Sequence, residues 1–402
     1  FRSILCRYIS IKDNIMINTN IQLLDSIDKN KKKAIKEYNR KENKQVYANK
    51  KGSEWYNLRP ILGNSWAMFF FLLGAREAGK SYSVTSFFVD QFVNKGIPFY
   101  WLRLTEFQTR KLLQNNAEKL IDPDIRRKYK LDLSVSGSNV YLVTKRSEPT
   151  EENPQGRILE RKLMARVLAL STFYSDKGNG LFDKDFLKDK NMRYNIAVDE
   201  FQREKSEKNT FDVLYALTNQ LENLVRSTKE RIRIFFIGNT LEEASDVLCA
   251  FDFIPEKFGI YKLKRKRCVI EYIEPSEKYL ERRKGTVADI LMPEASTFTN
   301  VIDTDKALIS KEKLLKPKLI IKFDKDKSHW FVLRNNNLIA PFNNEKIKNV
   351  IAMRPYIDEI FNSEQMKNVI ALFDTRCFLF RNLITFKKFQ SQLLLLKPRG
   401  SK

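Results

Sequence analysis

Gly74-Ala75-Arg76-Glu77-Ala78-Gly79-Lys80-Ser81 stands directly behind the apolar run at residues 66–73, and Tyr82 follows it. The spacing is G-x-x-x-x-G-K-[ST], a phosphate-binding loop after a strand. Its glycines let consecutive backbone N–H groups curl around a polyphosphate, while the helix that follows aims its positive N-terminus at the same charge. Lys80 is then expected to reach the β- and γ-phosphates of a nucleotide, and Ser81 to hold Mg²⁺. A helical pattern over 83–93 supplies the context that the motif requires.

Working outward, Asn195-Ile196-Ala197-Val198-Asp199-Glu200 reads as a short buried strand that ends in two carboxylates. In a P-loop ATPase the first, Asp199, backs the Mg²⁺ shell and the second, Glu200, polarises the attacking water. The competing reading is a solvated strand end. A third strand, 232–238, ends in Asn239-Thr240, where a polar side chain could feel the γ-phosphate; many strands also stop at such Gly-Asn turns.

Between these motifs strand and helix alternate. Strands are expected at 66–73, 97–102, 191–198 and 232–237, and helices from Gly79, over 106–120 and over 212–225. That alternation predicts an α/β fold, a mostly parallel sheet covered by helices on both faces. Residues 135–144 and 157–170 read as two strands of a hairpin-like insertion with 147–156 as its loop, and Gly178-Asn179-Gly180 marks a flexible loop at a strand end. Residues 261–273 read as one strand crowded by Lys and Arg. Beyond it, 318–323 and 330–333 read as strands joined by a turn at 324–327.

The domain expectation is a basic extension over 1–59, a P-loop ATPase domain over 60–255, a linker or lid over 256–291, and a smaller α+β domain over 292–402. The chain begins with Phe1, so the true start is either upstream or Met16.

The bulk properties set limits on function. With 402 residues, 43% of them apolar and 12% aromatic, the chain can bury a sizeable core. A formal charge of +24 and a pI near 9.7 favour a polyanionic partner such as nucleic acid. A Lys-rich composition alone is the bland alternative. The four cysteines are scattered and only His329 offers an imidazole, which argues against a zinc site or a disulfide framework. No apolar stretch approaches the ~20 residues that span a bilayer, so no membrane is expected.

Taken in order, the segments 73–82, 198–205 (Val-Asp-Glu-Phe-Gln-Arg-Glu-Lys) and 225–233 (Val-Arg-Ser-Thr-Lys-Glu-Arg-Ile-Arg) resemble the DNA-packaging ATPases of phi29-type tailed phages. The resemblance runs from Ser65 to about Asp305 and leaves the first sixty residues without a counterpart. It implies an ASCE-class P-loop fold and a homo-oligomeric ring motor, a homopentamer, docked on the portal of a prohead in the host cytoplasm. It further implies ATP and Mg²⁺ as cofactors, double-stranded DNA as cargo, and a structural packaging RNA between motor and portal.

Carried over one at a time, Lys80 matches the phosphate lysine, Asp199 the Mg²⁺ carboxylate and Glu200 the catalytic glutamate. Arg226 falls where the family places an arginine finger for the neighbouring subunit's ATP, with one extra residue before Glu230; Arg231 is the runner-up. Lys177 matches a second trans-acting cation, Arg103 an arginine at the end of the second core strand, and Arg76 fits the loop pattern. Each could instead be an ordinary surface cation. Larger packaging motors carry an RNase H-like nuclease domain. Strand 318–323 has no internal carboxylate, so the C-terminal domain is expected to be a vestigial, non-catalytic relative that grips nucleic acid. The rivals are another P-loop translocase or helicase, and a nucleic-acid-binding protein with a degenerate nucleotide site. A GTPase is disfavoured because no N-K-x-D occurs.

Overall fold

Five of the six residues of β1 (Phe69–Gly74) are buried, because this strand lies inside the sheet with a neighbour on each side. In the computed structural model, residues 55–151, 153–176, 193–202, 211–225, 231–239, 245–255 and 257–291 are described, together with shorter segments between 317 and 390. They fall into two compact units, one holding 42–241 and 255–302, the other the remainder.

In the first unit a single turn, α1 (Arg59–Leu62), precedes β1. After β1 come α2 (Lys80–Lys95), β2 (Phe99–Arg103), α3 (Glu106–Ala117), α4 (Pro123–Tyr129), β3 (Leu133–Ser136), β4 (Asn139–Arg146) and β5 (Ile158–Ala169). A 3₁₀ segment, Leu170–Asp176, leads on to β6 (Tyr194–Asp199), α5 (Val213–Val225) and β7 (Ile232–Asn239). β8 (Gly259–Leu263), β9 (Cys268–Tyr272), α6 (Glu277–Arg283) and α7 (Val287–Leu291) complete the unit.

Nine strands make one sheet in the order β3-β4-β5-β2-β6-β7-β1-β9-β8. From β5 to β9 every pair is parallel, and antiparallel hairpins flank both sides. β7 lies between the phosphate-loop strand β1 and the carboxylate strand β6, the extra strand that an ASCE-type sheet has. The parallel α/β fold expected from the sequence is the fold observed.

Phenylalanine rungs hold the centre. Phe70 pairs with Phe235 and Phe71 with Phe236 in register, and their rings stack at 4.9 and 4.4 Å. The β1 and α2 residues of the core, Phe70, Leu72, Val84, Phe88 and Phe92, face one another on one side of the sheet. Fully burying each such ring contributes about 1.5–3 kcal/mol relative to exposure. α2 ends at Gly96, whose φ of +68° lets its N–H close the helix onto Phe92.

Several local expectations differ from the structure. Residues 135–144, read as one strand, turn back at Gly137 (φ +59°), so that β3 and β4 form a hairpin. Glycine opens such II′-like turns without a Cβ penalty. β5 is more than an insertion, since it pairs in parallel with β2 and extends the main sheet. Residues 261–273 are two antiparallel strands, separated by the 3₁₀ turn Lys264–Lys266 and by Arg267 at φ +49°. The stretch 256–291, expected as linker or lid, thus supplies β8 and β9, and β9 pairs with β1. β1 itself starts three residues late because 64–67 form a turn, Ala67 N–H donating to Asn64. α3 stops at Ala117 rather than 120, with left-handed Asn115 and Asn116 inside its last turn.

In the second unit β10 (Pro317–Lys322), β11 (Ser328–Leu333) and β12 (Leu338–Asn343) form an antiparallel meander, and β13 (Leu379–Phe380) pairs in parallel with β12. β10 carries no carboxylate. A short helix, Asp246–Ala250, belongs to this unit, as do the buried rings of Phe378, Phe380 and Phe389. The turn at 324–327 and the extension 1–54 lie outside the described residues.

Candidate nucleotide site

Parallel pairing carries the ends of β1, β6 and β7 to one edge of the sheet, and the polar residues singled out in the sequence meet there. Asn239 pairs with Gly74, and Asp199 with Ile237 two residues before Asn239. The Nζ of Lys80, 6% exposed, donates to the carbonyls of Gly74 (2.8 Å) and Ala75 (2.6 Å) and reaches Oδ1 of Asn239 at 3.5 Å. Burial lowers its pKa to about 8, against the pull of the Asp199 and Glu200 charges; Arg76 lowers it further. An ammonium folded back on carbonyls in a desolvated loop is a cation held ready for an anion.

The loop takes its shape from two left-handed residues, Glu77 (φ +60°) and Gly79 (φ +86°). A side chain at Gly79 would also meet the Trp55 ring at 3.2 Å. The outer backbone of the loop is braced. Tyr56 N–H donates to the Ala78 carbonyl (2.9 Å), Tyr279 O–H to that of Arg76 (2.8 Å) and Arg282 to that of Glu77 (2.8 Å). Arg283 pairs with the Glu77 carboxylate at 2.5 Å. Tyr82 lies at the start of α2, 43% exposed.

Across the pocket, Ser81 Oγ donates to Asp199 Oδ1 at 3.3 Å. Asp199 is buried, and desolvation raises its pKa while Arg103, Ser81 and Lys80 oppose the rise. A buried carboxylate beside a hydroxyl fits Mg²⁺, a hard cation that takes few protein oxygens and fills its shell with water and phosphate. Among the described residues no cluster of three or more His, Cys, Asp or Glu offers a different metal site.

Glu200 is half-exposed and left-handed (φ +50°), with its N–H donating to Ile237 O (2.8 Å) and Asp199 Oδ1 (3.1 Å). This sharp turn separates two adjacent carboxylates, one buried and one half-exposed. Arg103, from the end of β2, pairs with Asp199 Oδ2 at 2.7 Å and with the Glu200 carboxylate. The turn packs closely on β7, since a Cβ on Gly238 would fall 2.8 Å from the Phe201 ring and 3.0 Å from Gln202 Oε1.

Of the residues named from the sequence, Gly74 to Tyr82, Asp199, Glu200 and Asn239 share this edge. Arg231 lies at the opposite, strand-entry edge of its own sheet, its carbonyl accepting from Tyr194 N–H at 2.6 Å. Arg226, Lys177 and the 178–180 loop lie outside the described residues. The braces from Trp55, Tyr56, Tyr279, Arg282 and Arg283 were not legible as site residues, because no local motif marks contacts made between segments so far apart in the chain.

Comparison with known proteins agrees with the fold. Over 221 residues the chain is 24% identical to the DNA packaging protein of Bacillus phage PZA and to that of Bacillus phage phi29, covering 53% of this chain and 55% of each relative. The chain thus spans about half the length of the curated relatives it matches. Among solved structures, the bacteriophage Phi-29 viral genome packaging motor assembly superposes with a TM-score of 0.55 at 19% identity, over 86% of this chain and 99% of that one. The Phi-28 gp11 DNA packaging motor superposes with a TM-score of 0.58 at 16% identity, over 87% and 100%. The shared fold is that of packaging motor proteins. No protein-family model matches the chain.

Proposed function

We propose that this protein is an ATPase that drives double-stranded viral DNA into a preformed prohead. The observation that carries the reading is the meeting of Lys80 and Ser81 with Asp199 and Glu200 at one sheet edge. Its likeness to the two phage DNA packaging proteins supports the choice of cargo.

In this reading the loop N–H groups and the positive end of α2 cradle the triphosphate, and Lys80 leaves its carbonyls for the β- and γ-phosphates. Ser81 and Asp199 are the residues that would hold Mg²⁺, and when bound it would supply neutralisation of the phosphate charge. Glu200 orients the attacking water and accepts its proton; Asn239 meets the γ-phosphate side of the pocket. Arg103 holds both carboxylates through its ion pairs, and Glu200 exchanges its own for the attacking water.

The remaining parts follow the resemblance. The active form is a ring, a homopentamer, in which Arg226 and Lys177 reach the neighbouring subunit's ATP. It docks on the portal, beside a structural RNA, in the host cytoplasm. Among the described residues no helix is long and apolar enough to cross a membrane. The C-terminal domain grips nucleic acid and cuts nothing, a degenerate RNase H-like relative. The deciding experiment is DNA-stimulated phosphate release by the full chain and by Glu200→Gln. Stimulated turnover that the variant loses by at least a hundredfold, with ATP still bound, supports the reading; equal turnover in both removes Glu200 from its role.

A further inference from the structure

Three successive carbonyls of the phosphate loop are each held by a group from another segment. That of Arg76 accepts from Tyr279 O–H, that of Glu77 from the Arg282 guanidinium and that of Ala78 from Tyr56 N–H. In a trans peptide the N–H points opposite to the C=O. The N–H groups of Glu77, Ala78 and Gly79 therefore point together to the side away from these braces, the arrangement in which consecutive backbone donors cradle an anion.

The loop reaches this shape through a residue that resists it. Gly79 (φ +86°) enters the left-handed region freely, but Glu77 (φ +60°) carries a Cβ that crowds the backbone there. A glutamate stays in that conformation only where its surroundings hold it.

The last two residues of α6 supply the hold, one at each end of Glu77. Arg282 takes its carbonyl at 2.8 Å, and Arg283 takes its carboxylate at 2.5 Å. The Arg283 side chain is 9% exposed and that of Glu77 61%, so the partner fixed by packing restrains the one in solvent. Arg282 is steadied in turn by aromatic faces, its guanidinium lying 4.1 Å from the Trp55 ring centre and 5.6 Å from that of Tyr279.

We propose that Arg283 is a positioning residue for the nucleotide's phosphates: through its ion pair it keeps Glu77 in the left-handed conformation that a glycine would adopt unaided. The proposal rests on the nucleotide-site reading and deepens it. Arg283 acts through Glu77 and touches no phosphate itself. An unclamped Glu77 leaves the left-handed region more often and turns the N–H groups that follow it out of line. The apparent Kd then rises by the factor by which the competent fraction of loops has fallen.

The test measures Mg-ATP binding by the full chain, by Arg283→Ala, Glu77→Ala and Glu77→Gly, and by Arg283→Ala combined with Glu77→Gly. Arg283→Ala and Glu77→Ala should each raise Kd about tenfold. Glu77→Ala and Glu77→Gly both lack the carboxylate and differ by one methyl group, yet the glycine chain should bind about fivefold more tightly than the alanine chain. In the glycine background the loss of Arg283 should cost less than about threefold, because no side chain is left for it to hold. Equal Kd in the alanine and glycine chains would overturn the proposal, as would an Arg283→Ala loss that persists undiminished beside Glu77→Gly. Thermal melting checks folding, and if Arg283→Ala misfolds, the alanine–glycine comparison at the exposed position 77 decides alone. Urea melts of the same chains without nucleotide separate the two claims. Coupling between positions 77 and 283 there, with no Mg-ATP binding by the unmodified chain, would remove the nucleotide reading and leave the clamp standing; normal binding without coupling would remove the clamp alone.

Discussion

The guanidinium of Arg103 stands 2.7 Å from Oδ2 of Asp199, at a carboxylate that is 2% exposed. Without that cation, burial would favour the neutral acid. Arg103→Ala should therefore weaken Mg²⁺-dependent nucleotide binding about tenfold and destabilise the fold by about 3 kcal/mol, the usual cost of leaving a buried charge unpaired. Arg103→Lys should recover part of both. A Mg²⁺ titration of ATP binding, together with a urea melt, reads the two effects.

Gly238 leaves the space into which Phe201 and Gln202 fold back over β7. Gly238→Ala should push the 199–202 turn outward and displace Glu200 more than the phosphate loop. Turnover should drop by at least tenfold while the Kd for Mg-ATP changes less than threefold. Equal losses in both would indicate general damage to the sheet.

Tyr56 donates its hydroxyl to Glu271 at 2.6 Å, and its pKa is raised well above 10, first by burial and then by that carboxylate. A pKa higher in the folded than in the unfolded chain contributes stability that is fully present below pH 10 and is lost as pH rises beyond it. The midpoint of alkaline unfolding should reflect this. Tyr56→Phe should lower stability near pH 7 by about 1.5–3 kcal/mol, the value of a hydrogen bond to a charged group. It should also flatten the stability profile above pH 10, as measured by urea melts at a series of pH values.

How much of this was legible depended on whether the signal was local. The phosphate loop could be read because its geometry is set by eight consecutive residues. Asp199 and Glu200 could be read because a buried strand seldom finishes in two acids unless a cation or a ligand meets them there. The β8–β9 hairpin was missed because Lys264 to Arg267 is basic rather than glycine-rich, and a 3₁₀ turn with Arg267 left-handed makes the reversal instead. The same miss hid β9 as a sheet strand and, after it, α6 as the brace of the loop. Arg103 could be matched by resemblance, but its grip on both carboxylates is a product of strand order, with β2 beside β6, which spacing alone does not encode.

The most direct test of the central claim is calorimetric titration of ATP into the full chain, with and without Mg²⁺, alongside Lys80→Ala. The account predicts saturable binding that strengthens with Mg²⁺ and falls at least a hundredfold when the Lys80 ammonium is removed. Absence of Mg²⁺-dependent binding, or identical affinity in the Lys80→Ala chain, would contradict it.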